Sequence, residues 1–322
     1  MSFLAILFAL LIEQVRPLAP GNPIHSTLRG WSMAVSRNID TGDSPHGWVA
    51  WALAVGVPTA VAAGVHLALV WTLGYVAALL WSVAVLYACL GFRQFSHYFT
   101  DIRDALDEGN EDAARDLLAR WQQVDASKLP RREIVRHVIE YSVLAAHRHV
   151  FGVIAWYVLL AVLGLGPAGA VLFRMSEFVG RYWKHKSLSQ HMPVSAALYE
   201  AASKAWQLLD WLPARITAVG FAVVGSFEDA IDGWRHHAQQ FPNDNDGVIL
   251  AATSGALNVR LGGEALRAEL ATGAITSGGD TESTPGREPE PAHLRSVVGL
   301  VWRTVVMWMV LLALLTLARL IG

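Results

Sequence analysis

The strongest constraint on this chain is a long run without charged side chains. From Gly47 to Phe92 the sequence contains no Asp, Glu, Lys or Arg. A helix of about 20 residues crosses the hydrocarbon layer, so this run is long enough for two membrane helices. We predict a helical hairpin with its turn between Trp71 and Gly74, which leaves tryptophan rings near the membrane interfaces.

The composition also favours a membrane protein. Of the 322 residues, 53% are hydrophobic and only 16% are charged, which is too apolar for an ordinary soluble core. The net charge of −2 gives no general attraction to nucleic acid, so we expect no such partner. The single cysteine, Cys89, excludes an intrachain disulfide and a thiolate metal cluster. We therefore predict an all-α polytopic integral protein of the bacterial inner membrane, with the lipid bilayer as its partner.

Two further apolar runs predict two more membrane helices. The first extends from His149 to Phe173 and the second from Val297 to Ala318, which brings the predicted spans to four. A weaker candidate extends from Leu208 to Phe227, where Asp210 and Arg215 interrupt the apolar pattern.

The distribution of basic residues predicts a break in one of these runs. Arg29 and Arg93 flank the hairpin on one side, which the positive-inside rule places in the cytoplasm. Arg174 and Lys186 follow after a single further span, so strict alternation would place them outside. A broken or re-entrant helix between Gly164 and Gly169 would remove this conflict.

Between the apolar runs the sequence predicts a water-exposed helical domain and a linker. Charged and apolar residues alternate at helical spacing from 93 to 148, Gly109 separates two helices, and Pro130 opens a third whose exposed faces carry Arg136 and its charged neighbours. The segment from Thr272 to Pro291 has no periodic apolar face, which predicts a mobile linker. The predicted segments are 1–92 with the hairpin at 47–92, the exposed domain 93–148, a membrane and motif region 149–263, the linker 264–296 and a C-terminal membrane helix 297–322.

The common signatures of catalytic sites are absent. The sequence has no GxxxxGK[ST], GxGxxG, HExxH or GxSxG motif that fits its context, so any chemistry is of another kind. Twelve histidines invite a metal-site interpretation. Adjacent pairs such as His236 and His237 point to different faces of a helix, however, so we predict no metal site.

Several separate motifs resemble those of the CobD/CbiB family, membrane proteins of cobalamin biosynthesis. Asp210–Arg215 resembles the family's N-W-L-P-A-R, Asn243–Gly247 its S-P-N-A-G, and Ala251–Gly263 its A-G-A-L-x-V-x-L-G-G. Upstream, Asp107–Arg115 resembles G-D-x-x-x-A-R and Gly166–Arg174 resembles G-x-P-G-A-x-x-Y-R. The segment from Pro130 to Glu140 resembles a family helix that ends in glutamate. The order agrees from about Gly91 to Gly263.

The resemblance implies a function and a set of site residues. Family members join aminopropanol or its phosphate to adenosylcobyric acid by amide formation, which implies ATP, magnesium and a corrinoid substrate. The candidate ligand-binding residues, all at motif positions, are Arg115, Asp125, Glu140, Asp210, Arg215, Asn245 and Gly247. No catalytic residue is assigned. From the residues alone, capping, turn formation and helix packing are the simpler roles.

Departures from the family pattern leave a second interpretation open. The R-D-T run of the family is Val124-Asp125-Ala126 here, the family's E-N-x-S-D-G stretch is replaced by Leu144–Gly152 without an acid, and an aspartate is missing near His237. A ligase that uses ATP needs acids to hold magnesium. The segments 1–18 and 146–156 and the C-terminal span resemble the AmpE family of inner-membrane signalling modulators. A non-catalytic sensor that binds a ligand or other membrane proteins therefore stands beside the enzyme. A transporter has little support, because paired broken helices are not evident.

Overall fold

The structure, a computed structural model, describes residues 2–18, 22–122, 125–188, 194–263 and 282–321. These residues form α-helices and contain no β-strand, with a single isolated bridge between Val259 and Arg287, so the predicted all-α class is confirmed. The helices are α1 (Ser2–Val15), α2 (Pro23–Ile39), α3 (Ser44–Leu73), α4 (Tyr75–Cys89), α5 (Phe92–Asp107), α6 (Glu111–Gln122), α7 (Arg131–Ala146), α8 (Gly152–Val162), α9 (Ala168–Leu188), α10 (Ala196–Val224), α11 (Phe227–His237), α12 (Asp244–Leu257) and α13 (Pro291–Ile321). A π-helical turn, His147–Phe151, joins α7 to α8.

Four helical stretches of the described chain are long and apolar enough to cross a membrane. They are Ser44–Leu73, Arg131–Val162, Ala196–Val224 and Pro291–Ala318. The number agrees with the prediction, but the set differs from it. Helix α4 has 15 residues, fewer than a span requires, whereas α10 reaches the required length although it contains Asp210 and Arg215.

The structure confirms two of the predicted breaks between helices. Helix α3 ends at Leu73 and α4 begins at Tyr75, and between them Gly74 has a φ of 80°. The two helices pack together, and Trp81 Nε1 donates to the Ala62 carbonyl at 3.1 Å. The apolar run 149–173 is likewise broken, because α8 ends at Val162 and α9 begins at Ala168. Gly164 and Gly166, with φ values of 81° and 57°, form the turn.

The chain divides into two compact units. The first comprises residues 1–92, 148–213 and 312–322. Within it, α3 packs against α2, α4 and α9, and α1 packs against α4. Helices α8 and α9 can approach closely because Gly152 and Gly169 have no side chain. A Cβ at Gly169 would overlap the Trp156 carbonyl, and one at Gly152 would overlap the Phe173 ring.

The second unit comprises residues 93–147 and 214–311. Helices α5 and α6, separated at Gly109 as predicted, bury Ile102, Leu106 and Leu118 completely. Helix α12 is almost wholly buried and packs against α7 and α11. Helices α11 and α12 can pack closely because Gly255 has no side chain. A Cβ at this position would overlap the Asp229 carbonyl oxygen.

The predicted linker at 264–296 needs correction where the structure describes it. Residues 264–281 lie outside the described part of the chain. Thr284, however, is 1% exposed, its N–H donates to the Leu261 carbonyl at 2.7 Å, and its hydroxyl lies 2.7 Å from Ser254 Oγ. Helix α13 then begins at Pro291. The linker prediction was wrong for 282–296. Backbone pairing with a distant segment orders residues 282–290, which have no apolar face of their own, and residues 291–296 belong to α13.

Candidate ligand-binding cleft

The N-terminal half of α7 carries a row of charged residues on one face. Glu133, Arg136, His137 and Glu140 are spaced three and four residues apart, which places them side by side on a helix. Arg136 Nε and Nη2 donate to Glu133 Oε2 at 2.8 and 2.6 Å, and Nη1 donates to Glu140 Oε1 at 3.1 Å. His137 Nδ1 lies 3.6 Å from Glu140 Oε2. Two carboxylates therefore hold one guanidinium.

The position of Arg136 corrects the sequence-based prediction. We placed it on an exposed face of the third helix, but it is 4% exposed. A guanidinium is tolerated at this burial only when carboxylates neutralise it and satisfy its donors, as Glu133 and Glu140 do here. The charged ladder of α7 is therefore turned inward.

The segment after α12 forms the opposite wall. Asn258 ends the helix in the left-handed conformation with a φ of 51°. Gly262 and Gly263 follow with φ values of 82° and 111°, a region of backbone geometry that favours glycine. The Gly262 N–H donates to Glu140 Oε1 at 2.7 Å. Glu140 thus joins the helix of the family's Pro-to-Glu motif to the L-G-G motif.

An open cleft with a volume of about 580 Å³ lies between these walls. The loop before α7, the first turns of α7, the two glycines and the segment 283–289 all contribute to its lining. In the part of the lining that comes from the C-terminal half of the chain, Arg260 Nη1 pairs with Glu288 Oε1 at 2.6 Å. The charged residues that line the cleft are Asp125, Lys128, Arg132, Glu133, Arg136, Arg260 and Glu288.

Asp125 differs from the other two acids that line the cleft. Glu133 and Glu288 are paired with arginines, whereas Asp125 has no arginine partner in the described part of the chain. Its Oδ1 accepts from the Ser127 hydroxyl at 2.7 Å and from the Ser127 N–H at 3.0 Å. These hydrogen bonds, with a smaller contribution from Lys128, hold the pKa of Asp125 below its usual value. The carboxylate is therefore ionised at neutral pH and open to a cation.

Two cations that line the cleft are also available to a ligand. Within the described ranges neither Lys128 nor Arg132 forms an ion pair, and both side chains line the cleft. Arg115, another predicted site residue, does not line it. Its Nε donates to the Leu129 carbonyl at 2.8 Å while its guanidinium pairs with Glu111 and Asp112 on its own helix. Arg115 thus holds the wall of the cleft in place.

The remaining predicted residues lie elsewhere. Arg215 Nη1 donates to Asn245 Oδ1 at 3.1 Å, and Asn245 is 4% exposed in the first turn of α12. Gly247 packs against the Ala238 carbonyl, which leaves no room for a Cβ. These three residues are close together, but none of them lines the cleft. Asp210 belongs to the first unit and is fully buried there. Their role in binding remains a prediction.

Sequence reasoning gave no site role to most of the charged residues that line the cleft, among them Arg136, His137, Arg260 and Glu288. The three- and four-residue spacing of Glu133, Arg136, His137 and Glu140 was a signal that could have identified Arg136 and His137. Arg260 and Glu288 gave no local signal, because a segment without regular pattern separates them in the sequence.

Comparisons with known proteins agree with the motifs. A family model described as CobD/Cbib protein matches residues 3–301. The cobalamin biosynthesis protein CobD of Stutzerimonas stutzeri is 28% identical over 277 residues, which cover 83% of this chain and 81% of the relative. That of Chromobacterium violaceum is 30% identical over 230 residues, 70% of this chain and 67% of the relative. No solved structure gives a significant match. Because the family match extends over nearly the whole sequence, the chain belongs to the CobD/CbiB family.

Proposed function

We propose that this protein acts in cobalamin biosynthesis and attaches aminopropanol, or its phosphate, to adenosylcobyric acid by amide formation. The family and the names of its relatives support the pathway. The observation that carries the proposal furthest is the convergence of three motif segments on one cleft. Asp125 and the charged face of α7 that ends at Glu140 are close in sequence. Gly262 follows Glu140 by 122 residues, yet Gly262 and Gly263 lie beside them in the second unit.

The cleft residues fit a magnesium-bound nucleotide. Amide formation from a carboxylate requires activation, which ATP would supply when bound. Lys128 and Arg132 can neutralise phosphate oxygens, and the ionised Asp125 can contribute one carboxylate to magnesium. Among the described residues no group of three or more His, Cys, Asp or Glu side chains could hold a metal alone. Magnesium commonly binds through one or two carboxylates together with substrate phosphates, so this arrangement is sufficient.

The residues of the protein would then orient the substrates. Glu140 fixes the Gly262–Gly263 turn against α7, so the backbone can approach a ligand closely where side chains are absent. Arg136 is already neutralised by two carboxylates, so it keeps the wall rigid rather than supplying charge to a ligand. Arg260 and Glu288, which form an ion pair, complete the lining of the cleft.

Complementation tests the proposed activity. The chain is expressed in a strain that lacks its own aminopropanol-attaching enzyme and is supplied with cobyric acid. We expect corrinoid-dependent growth, and we expect Asp125→Asn to reduce the rate of product formation about tenfold or more, as for loss of a charged ligand contact. Asp116→Asn, at an exposed position of α6 outside the cleft, is the matched control. No growth despite good membrane expression would contradict the proposal.

The signalling alternative makes a different prediction. The comparisons support the biosynthetic role and give no support to the AmpE-like one. A non-catalytic modulator would show no corrinoid-dependent ATP hydrolysis after purification. Measurable hydrolysis that requires cobyric acid and is lost in Asp125→Asn would therefore exclude the modulator.

We also propose that the chain passes several times through the bacterial inner membrane. Four stretches of sufficient length and apolarity support multi-pass insertion. Separation of inner and outer membranes on a density gradient tests the location, and cysteine labelling from either side tests the number of crossings.

A further inference from the structure

A second concentration of charge lies in the first unit, on α9. Glu177 is 2% exposed and accepts from Arg174 Nη1 at 2.9 Å. Arg181 Nε pairs with the same carboxylate from the opposite direction along the helix. Arg174 and Arg181 thus lie one turn on either side of Glu177, on one face of α9. Two guanidinium groups share a single buried carboxylate.

The electrostatics around Glu177 show how positive this position is. Burial favours the neutral form of Glu177, yet Arg181 and Arg174, with smaller contributions from His149 and Arg148, lower its pKa to about 2. A carboxylate that stays ionised under such burial lies in a strongly positive potential. Two guanidinium groups on one carboxylate leave an excess of one positive charge, which would stabilise a second anion.

The two arginines of α9 differ in their access to solvent. The Arg174 side chain is 18% exposed and reaches inward, whereas the Arg181 side chain is 55% exposed. A ligand can therefore contact Arg181 from outside while Arg174 and Glu177 form the base of the site. Two cations on one acid exceed what a simple structural ion pair requires.

Further positive charge comes from the π-helical turn that joins α7 to α8. Arg148 and His149, which act electrostatically on Glu177, lie in this turn, inside the apolar stretch Arg131–Val162. On α2, His25 has a lowered pKa because of its burial and because Arg174 is close, so the positive region extends to this amphipathic helix. Basic pockets between the helices of membrane proteins commonly bind phosphate head groups.

We propose that Arg174 and Arg181, supported by Glu177 and Arg148, form a binding site for a phosphate-bearing anion. The guanidinium fork matches two phosphate oxygens at once, which favours phosphate over halide. Two sources share this chemistry, the head group of an anionic phospholipid and a freely diffusing phosphate. The site lies in the first unit and does not depend on the proposed activity of the cleft.

Ligand-dependent stabilisation of the purified full chain tests this site. The unfolding temperature in detergent is measured with inorganic phosphate, with phosphatidylglycerol, and with phosphatidylcholine or chloride at the same ionic strength as references. We expect phosphatidylglycerol or phosphate to raise the unfolding temperature of the wild type. A response to phosphatidylglycerol alone identifies a lipid site, and a response to inorganic phosphate identifies a site for free phosphate.

Variants separate the site from a general charge effect. Arg174→Gln and Arg181→Gln should weaken the apparent affinity about tenfold. Arg181→Lys keeps the charge but not the fork and should recover part of the affinity. Arg37→Gln, at an exposed position of α2, should bind like the wild type. Absence of any response in the wild type, or equal responses in Arg181→Gln and Arg37→Gln, would overturn the proposal.

Discussion

Arg136 shows at the scale of one residue how a charge is kept inside the second unit. Its donors reach Glu133 and Glu140, and Glu140 in turn accepts the Gly262 N–H. Removal of one member therefore leaves the others partly buried without their counter-charge, which is more harmful than removal of an entire ion pair.

We expect Arg136→Met to lower the free energy of unfolding by about 3 kcal/mol, because the buried guanidinium is lost and two partly buried carboxylates lose their counter-charge. Denaturation in mild detergent, followed by tryptophan fluorescence, measures this change. Arg132→Met, at an exposed position of the same helix, should change stability by about 0.5 kcal/mol or less. Equal stability of the two variants would show that the α7 ladder contributes nothing to folding.

At the scale of elements, close helix packing in the second unit depends on small residues. A Cβ at Gly255 would overlap the Asp229 carbonyl oxygen, so α11 and α12 can touch only through glycine. We expect Gly255→Ala to destabilise the protein by about 1–3 kcal/mol, since the helices must move apart. Gly299→Ala in α13 meets nothing within 4 Å and should be neutral or slightly stabilising. Thermal unfolding of both variants decides the matter, and an unchanged Gly255→Ala would refute the packing argument.

Some of the helix boundaries could be predicted from the sequence, whereas contacts between distant segments could not. The breaks at Gly74, Gly109 and Gly164–Gly166 were predictable, because a glycine that interrupts a helical pattern is visible in the sequence itself. The positive φ of these glycines agrees with that prediction. The inward position of Arg136 was not predicted, and the order of residues 282–290 could not be, because their partners are distant in sequence. Thr284 is held in place by hydrogen bonds to Leu261 and Ser254. Nothing in the sequence around Thr284 indicates that these two residues are its partners.

For the whole molecule, the apolar helices determine how the protein must be handled. The described chain exposes large apolar side chains along α3 and α13, including Trp71, Leu314 and Leu315. We expect membranes that contain the protein to retain it after washing with alkaline carbonate, and its solubilisation to require detergent. Immunoblots of pellet and supernatant measure this. A monodisperse protein in buffer without detergent or lipid would contradict the membrane assignment.

The hydrogen bond between Glu140 and Gly262 joins residues 122 positions apart, so it cannot form until long after the ribosome has made α7. The ion pairs within α7 can form as soon as that helix leaves the ribosome, because their members are neighbours. The glycine wall is translated roughly 6–24 s later, at ordinary elongation rates. The nascent helix thus waits with its charges already matched, and a truncated chain that stops before Gly262 keeps the ion pairs of α7 but lacks the second wall of the cleft.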